Sequence, residues 1–354
     1  MTLHKQNGKG KSILLAGAVM GALLNASIAV ADSADKQKIK ELEERLNALA
    51  EAVDTKESIL ATKSKTHFGG YGELHYRLLD ANGEDKRELD FHRMVLFIGH
   101  DFNDKARLVS ELEVEHILAS GGSRGAVEVE QVYVEMDIKP NVHLKTGVML
   151  MPIGLTNETH EPPTFYGVER PIIESTIIPT TWWSAGMGVT HELSNGLSYD
   201  LMIHEGLKTE DPNSNLKAEP FNLKKGKQKS SFADGFKLAV TGRVKYTGKP
   251  GLELAAYAQY QPDLDQGAKI NYADSATLVG AHAVYQVGKV TAKGLYARWN
   301  LAGDLAKAAG KNVQDGGYLE LDYKHNDKWG VFARHSIWSQ KKVNQRTIKH
   351  LKYF

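Results

Sequence analysis

The stretch ARLVSELEVEHIL (Ala106–Leu118) carries the reading that decides the fold. Leu108, Leu112 and Val114 fall on one side of a two-residue period, and Arg107, Glu111, Glu113 and Glu115 on the other. That alternation describes a β-strand with one apolar and one polar face. It recurs further on, where Phe236, Leu238, Val240, Val244 and Tyr246 oppose Lys237, Thr241, Arg243 and Lys245. Leu319, Leu321 and Tyr323 likewise oppose Glu320, Asp322 and Lys324. Thirteen such runs are legible, over 68–78, 88–101, 106–118, 127–138, 142–151, 182–192, 197–207, 236–246, 252–261, 276–287, 290–300, 316–325 and 329–339.

Alternation alone also fits a soluble sandwich with its apolar face inward. The connections separate the two. Tight turns are read at Phe102–Lys105, Lys139–Asn141, Ser194–Gly196, Thr247–Gly251, Gly288–Lys289 and Asn326–Lys328. The intervening connections are longer, up to Pro152–Thr181 and Lys208–Ala233. Outer-membrane barrels place short turns at the periplasmic end and long loops at the extracellular end. The expected fold is therefore an all-β, antiparallel transmembrane barrel over 67–339, closed because an open edge in lipid leaves backbone groups unpaired. Tyr76, Trp182, Trp183, Tyr246, Tyr260, Tyr285, Trp299, Tyr323, Trp329 and Trp338 lie near strand ends, as interfacial girdles do.

Composition agrees. No run in the mature chain reaches the roughly 18 apolar residues of a helical span. A formal net charge of +1 gives no nucleic-acid partner, and zero cysteines exclude disulfide, thiol and covalent haem chemistry. Residues 1–31 read as a signal peptide: Lys5, Lys9 and Lys11, an apolar Ile13–Ile28 run, then Ala29-Val30-Ala31. A single membrane anchor is the alternative. Over 32–60, Ile39, Leu42, Leu46, Leu49 and Val53 take coiled-coil spacing. That segment reads either as a periplasmic trimerisation stalk or as an amphipathic helix on its own barrel. A polar linker over 61–66 follows.

At this point the chain resembles the phosphate-selective porins O and P and the proteobacterial porins similar to them. The segments that carry the resemblance are DFHRMVLFIGHDFND (Asp90–Asp104), VEVEQVYVEMD (Val127–Asp137) and GVMLMPIGLTNETHEPPTFYGVERP (Gly147–Pro171). PTTWWSAGMGV (Pro179–Val189) and LSYDLMIHEGL (Leu197–Leu207) continue it. The resemblance implies a sixteen-stranded homotrimeric barrel in a Gram-negative outer membrane, passing small, anionic or phosphate-like solutes by diffusion. Its implied partners are outer-membrane lipid, lipopolysaccharide and the outer-membrane assembly machinery, with no enzyme activity and no cofactor. It does not imply phosphate selectivity.

The departure lies at the C-terminus, where QKKVNQRTIKHLKYF (340–354) lacks the alternation. A Lys352 facing lipid beside Phe354 would cost up to about 2–4 kcal/mol at mid-bilayer. Two readings stand: an aberrant or truncated tail, or a fourteen-stranded barrel closed by Val343–Phe354.

The alternation turns Glu73, His75, Arg77, Arg93, Glu111, Glu113, Glu115, Glu135, Lys145, Lys237, Arg243, Lys245, Arg298, Lys324 and Arg334 into the lumen. The Glu111/Glu113/Glu115 run makes an acidic wall and argues against strong anion selectivity, since a phosphate path wants Arg and Lys. The Pro152–Thr181 loop, with Glu158, His160, Glu161, Glu169 and Arg170, reads as a constriction loop, or else as an extracellular lid. Lys217, Lys224, Lys225, Lys227 and Lys229 give the second long loop a cationic character. Glu158-x-His160-Glu161 and His204-Glu205 fit no metal or nucleophile motif, so neither a catalytic nor a metal site is expected.

Overall fold

The computed structural model describes residues 44–45, 65–81, 84–116, 125–209, 220–268, 272–339 and 345–353. The expected signal peptide, Lys217, and all but Glu44 and Arg45 of the expected coiled coil lie outside the described residues; those two are helical. No helix among the described residues is long and apolar enough to cross a membrane.

Fourteen strands form one sheet: β1 (Thr66–Ala81), β2 (Glu84–Asn103), β3 (Ala106–Glu115), β4 (Val127–Lys139), β5 (Val142–Leu150), β6 (Trp183–Glu192) and β7 (Leu197–His204), then β8 (Ala239–Lys249), β9 (Leu252–Gln261), β10 (Ala276–Val287), β11 (Val290–Leu301), β12 (Val313–Lys324), β13 (Gly330–Ser339) and β14 (Gln345–Tyr353). Each pairs antiparallel with its sequence neighbour, a plain meander. Among the described residues no ladder joins β1 to β14. Short helical turns interrupt the long connections: α1 (Ile173–Thr176) after β5 and α2 (Asp304–Ala308) after β11.

The alternation is physical. Leu74, Tyr76 and Leu78 of β1, Met94, Leu96 and Ile98 of β2, Tyr199, Leu201 and Ile203 of β7, and Leu319 and Leu321 of β12 stand exposed. Between them Arg93, Val95, Asp200, Met202, Tyr318 and Glu320 are buried. Large apolar side chains exposed strand after strand on one face form a continuous band, the pattern of a lipid-facing barrel wall.

The hydrophobic core lies inside the curl of the sheet. Met149 (β5), Met202 (β7), Tyr257 (β9), Leu278 (β10), Trp299 (β11) and Tyr318 (β12) pack against Met151, Ile153, Ile173, Ile177, Ile178 and Trp182 of the β5–β6 connection. Each such side chain removed from water contributes about 1.5–3 kcal/mol.

Three expectations change. Trp182, Trp183 and Trp299 are no girdle: all three are buried, Trp182 and Trp299 in the apolar cluster formed with the inward connection and Trp183 beneath Lys227 and Lys229. The β1–β2 connection, expected to be long, shrinks to 82–83 as the ladder runs out to Ala81↔Glu84. Residues 345–353, which read either as part of an aberrant tail or as a closing strand, pair with β13 from Val331↔Tyr353 to Ser339↔Gln345.

Leu201 is 57% exposed near the middle of β7. Leu201→Arg is expected to destabilise the lipid-reconstituted protein by about 2–4 kcal/mol, read from its urea unfolding midpoint. An unchanged midpoint would remove the lipid-facing assignment.

Candidate functional site: an inward connection between charged walls

The β5–β6 connection folds back against the inner face of the sheet and is tied there by specific groups. Asn157, fully buried, closes its base: its Nδ2 donates to the Met151 and Trp182 carbonyls, each 2.8 Å away. The Trp182 N–H donates to Asn157 Oδ1 at 2.7 Å. Glu174 of α1 accepts from the Leu155 and Thr156 backbone N–H groups at 2.8 and 2.6 Å, and from Tyr318 Oη on β12 at 2.7 Å. Gly154 makes the tight passage past Glu174 possible, with a φ of +80° and a Cβ position only 2.8 Å from Glu174 Oε2. Trp299 Nε1 donates to the Ile177 carbonyl at 2.9 Å. Arg334 of β13 donates to the Tyr166 carbonyl at 3.1 Å.

Charged residues extend this anchoring around the wall. Glu158 meets Arg243 of β8, whose Nε also donates to Asp200 at 2.8 Å. His160 Nε2 lies 2.9 Å from Glu130 and 3.2 Å from Glu111, all three buried. Glu169 stands 3.6 Å from Arg77 of β1 in the open. Glu161 is half-buried, its carbonyl accepting from the Thr164 N–H at 3.0 Å.

Arg93 is buried between Glu73 (2.7 Å) and Glu113 (3.1 Å), with Glu115 opposite it in register. Glu135 pairs with Arg107 and with Lys145 at 3.3 Å. Arg334 is held by Glu320, Nε to Oε2 2.6 Å. Two expected inward residues are elsewhere. Arg298 stands on the outward face of β11, with Nε 3.2 Å from Asn300, since Trp299 takes the inward position beside it. Lys237 is exposed in the segment before β8, which starts at Ala239.

Two cavities flank the inward connection. One, of about 390 Å³, is lined by Arg93, Glu113, Glu115, Glu128, Glu130, Arg170, Trp183, Lys224, Lys227 and Lys229. The other, of about 460 Å³ towards the tight-turn end, is lined by Glu158, Arg243, Lys245, Lys249, Glu253, Lys293 and Glu320, among others. Each sets carboxylates against ammonium and guanidinium groups, which creates a field across the opening.

Glu130 was not legible in the alternation. Glu111 pairs with Gln131 and Leu112 with Val129, so Glu130 is the extra residue of a bulge. A bulge re-aims side chains, and here it sets Glu130 and Gln131 on the same inner face. His92 is the same case in β2, where Glu73 pairs with Arg93 and Leu74 with Phe91. Asn157 and Glu174 were missed because an irregular connection has no period to read.

Titration follows from these contacts. Burial alone would lower the His160 pKa, yet the Glu111 and Glu130 carboxylates outweigh it and raise it from 6.5 to about 9. Burial and the neighbouring Lys229 charge push Lys227 down to about 8. Burial and Arg93 also lower Arg170.

No protein-family model matches the chain. An uncharacterized protein of Aquifex aeolicus (strain VF5) is 36% identical over 199 residues, 56% of this chain. The chain spans 44% of the length of that curated relative. An anion-selective porin from Comamonas acidovorans superposes with a TM-score of 0.55 at 13% identity, covering 81% of this chain and 83% of that one. The Salmonella typhi OmpF complex with daunomycin superposes with a TM-score of 0.52 at 12% identity, covering 79% and 81%. The fold is that of the outer-membrane β-barrel porins.

His160→Ala leaves two buried carboxylates unpaired and is expected to cost about 3–5 kcal/mol, read as faster protease cutting within 152–181. The raised His160 pKa gives the sign of the pH effect. Its stabilisation is complete below about pH 6.5 and is lost as pH rises through about 9. Protease resistance of this connection should fall over that window in the parent chain and not in His160→Gln.

Proposed function

We propose that this chain is an outer-membrane porin through which small polar solutes, anions among them, diffuse passively. The observation that carries the reading is the polar-anchored β5–β6 connection lying against the inner face of the sheet. Cavities remain on both sides of it, each lined by opposed charges. The Glu158, His160, Glu161, Glu169 and Arg170 segment is then the constriction loop, and Arg77, Arg93, Glu111, Glu113, Glu115, Glu135, Lys145, Arg243, Lys245 and Arg334 line the lumen. Arg298 and Lys237 drop out of that set.

The anion-selective neighbour from Comamonas acidovorans supports anions as permeants, and the segments at Asp90–Asp104 and Gly147–Pro171 support a place near the phosphate-selective porins O and P. The basic side of the outer cavity supports it physically: Lys227 Nζ lies 5.1 Å and Lys229 Nζ 5.6 Å from the Trp183 ring centroid, with Arg170 and Lys224 lining the same cavity. Facing Glu113, Glu115 and Glu128 temper the preference. A homotrimer in the outer membrane completes the proposal. The reading is of a channel and not an enzyme.

The test is planar-bilayer conductance of the folded chain under a KCl gradient. Stepwise channels with a reversal potential favouring chloride are expected, and a folded, inserted protein that passes no current would end the reading. Because Lys227 is charged below about pH 8 and neutral above, the chloride preference should decline between pH 7 and 9. Lys227→Gln should begin at the lower preference and show little of that decline.

A further inference from the structure

We infer that the inner wall near the long-loop end holds a binding site for a divalent first-row transition-metal cation, centred on His92 and completed by His75 and His116. The binding itself does not depend on the channel reading; only the site's position on a permeation path does.

Three imidazoles meet there, two from neighbouring strands and one from the residue that follows the third. The His75 ring of β1 stacks on the His92 ring of β2, with centroids 4.2 Å apart and planes 12° from parallel. His116, directly after β3, meets His92 edge-on at 5.4 Å. Two overlapping donor sets share His92: Glu73–His75–His92 and Asp90–His92–His116, with the ligand atoms of each set within 4.8 Å of one another.

The outer two rings are arranged as metal-ligating histidines usually are, with one nitrogen held by a carboxylate and the other left to bind. His75 Nε2 lies 2.6 Å from Glu73 Oε1. Its Nδ1 is buried and has no hydrogen-bond partner, on a residue only 5% exposed. Donation from Nε2 to Glu73 fixes the tautomer that leaves the Nδ1 lone pair free. Glu73 is itself fixed by Arg93 Nε at 2.7 Å. His116 Nδ1 lies 2.8 Å from Asp90 Oδ1, which turns its Nε2 away from that carboxylate. His92 Nδ1 also lacks a hydrogen bond, at 3.5 Å from Asp90 Oδ2.

A buried polar atom without a partner requires an explanation. Charge points the same way. Among the described residues Asp90 has no Lys or Arg partner, only His92 and His116. In the superficially similar Glu135–Asp137–His143 group both carboxylates are paired with Arg107 or Lys145, whereas here Arg93 pairs with Glu73 and leaves Asp90 to the histidines. Access is open, since His92 lines the outer cavity of about 390 Å³. Imidazole-rich sets with one or two carboxylates suit Zn²⁺, Co²⁺, Ni²⁺ or Cu²⁺, whereas Ca²⁺ and Mg²⁺ prefer oxygen alone.

The experiment titrates CoCl₂ into the folded, tag-free chain in detergent, follows the ligand-field absorption of Co²⁺, and then displaces it with ZnCl₂. A saturable, Zn²⁺-displaceable site is expected. It should be lost in His92→Ala and weakened by about tenfold or more in Glu73→Gln, which removes the group orienting His75. Heat-modifiable migration on a gel checks that each variant folds, and His116→Gln, at the strand end, replaces His92→Ala if that chain fails to fold. No saturable site in the folded parent chain, or unchanged Co²⁺ affinity in the folded His92→Ala or His116→Gln chain, overturns the inference. Conductance recorded on the same preparation separates the two readings: binding without current keeps the site and ends the channel, and current without binding does the reverse.

Discussion

The attachment of the β5–β6 connection to the inner wall is the interaction on which the remaining structure depends. A segment that leaves a sheet and runs inward must satisfy every backbone group it buries, because no regular ladder does so for it. Asn157 meets this need at the base with three bonds to main-chain groups, and Glu174 meets it at the turn with two more. Around these polar ties the segment supplies the apolar partners, Ile173, Ile177 and Trp182, that let Trp299 and Tyr318 be buried. The core, the burial of Trp182 and Trp299 and the two cavities all follow from that one placement.

The electrostatics follow as well. Once the segment crosses the inner face, its own charges must find partners on the wall, and they do so on opposite sides: Glu158 on Arg243 of β8, His160 on Glu111 and Glu130 of β3 and β4. The wall therefore acquires an acidic, histidine-bearing stretch over β1 to β4, and a stretch rich in Lys and Arg from β8 onward. The same division places a carboxylate-supported histidine group on the acidic side of the outer cavity, with Lys224, Lys227 and Lys229 among the residues that line that cavity.

Much of this was legible in the chain. Period-two alternation identified thirteen strands, and the tight turns gave the sheet its direction, because side-chain direction in a strand depends only on position parity. Parity is also where legibility ended. Bulges at His92 and Glu130 each add one residue and bring an off-phase side chain inward, so a strict alternation places both on the wrong face. Arg298 failed differently: the alternation set it inward, but Trp299 takes the inside position through its bond to Ile177. Lys237 was lost to a strand boundary, and β14 stands as only one of two readings of the tail because its sequence lacks alternation although its backbone pairs. The anchors Asn157 and Glu174 have no sequence period at all; only the folded path of the segment shows why an amide and a carboxylate stand there.

The most direct test of the account is the single-channel conductance of a folded chain from which residues 158–170 have been excised and replaced by a short Gly-Ser link. Removing the segment that narrows the passage should raise conductance several-fold while leaving the heat-modifiable fold in place. A folded, inserted chain whose conductance matches the parent would show that the inward connection does not set the passage.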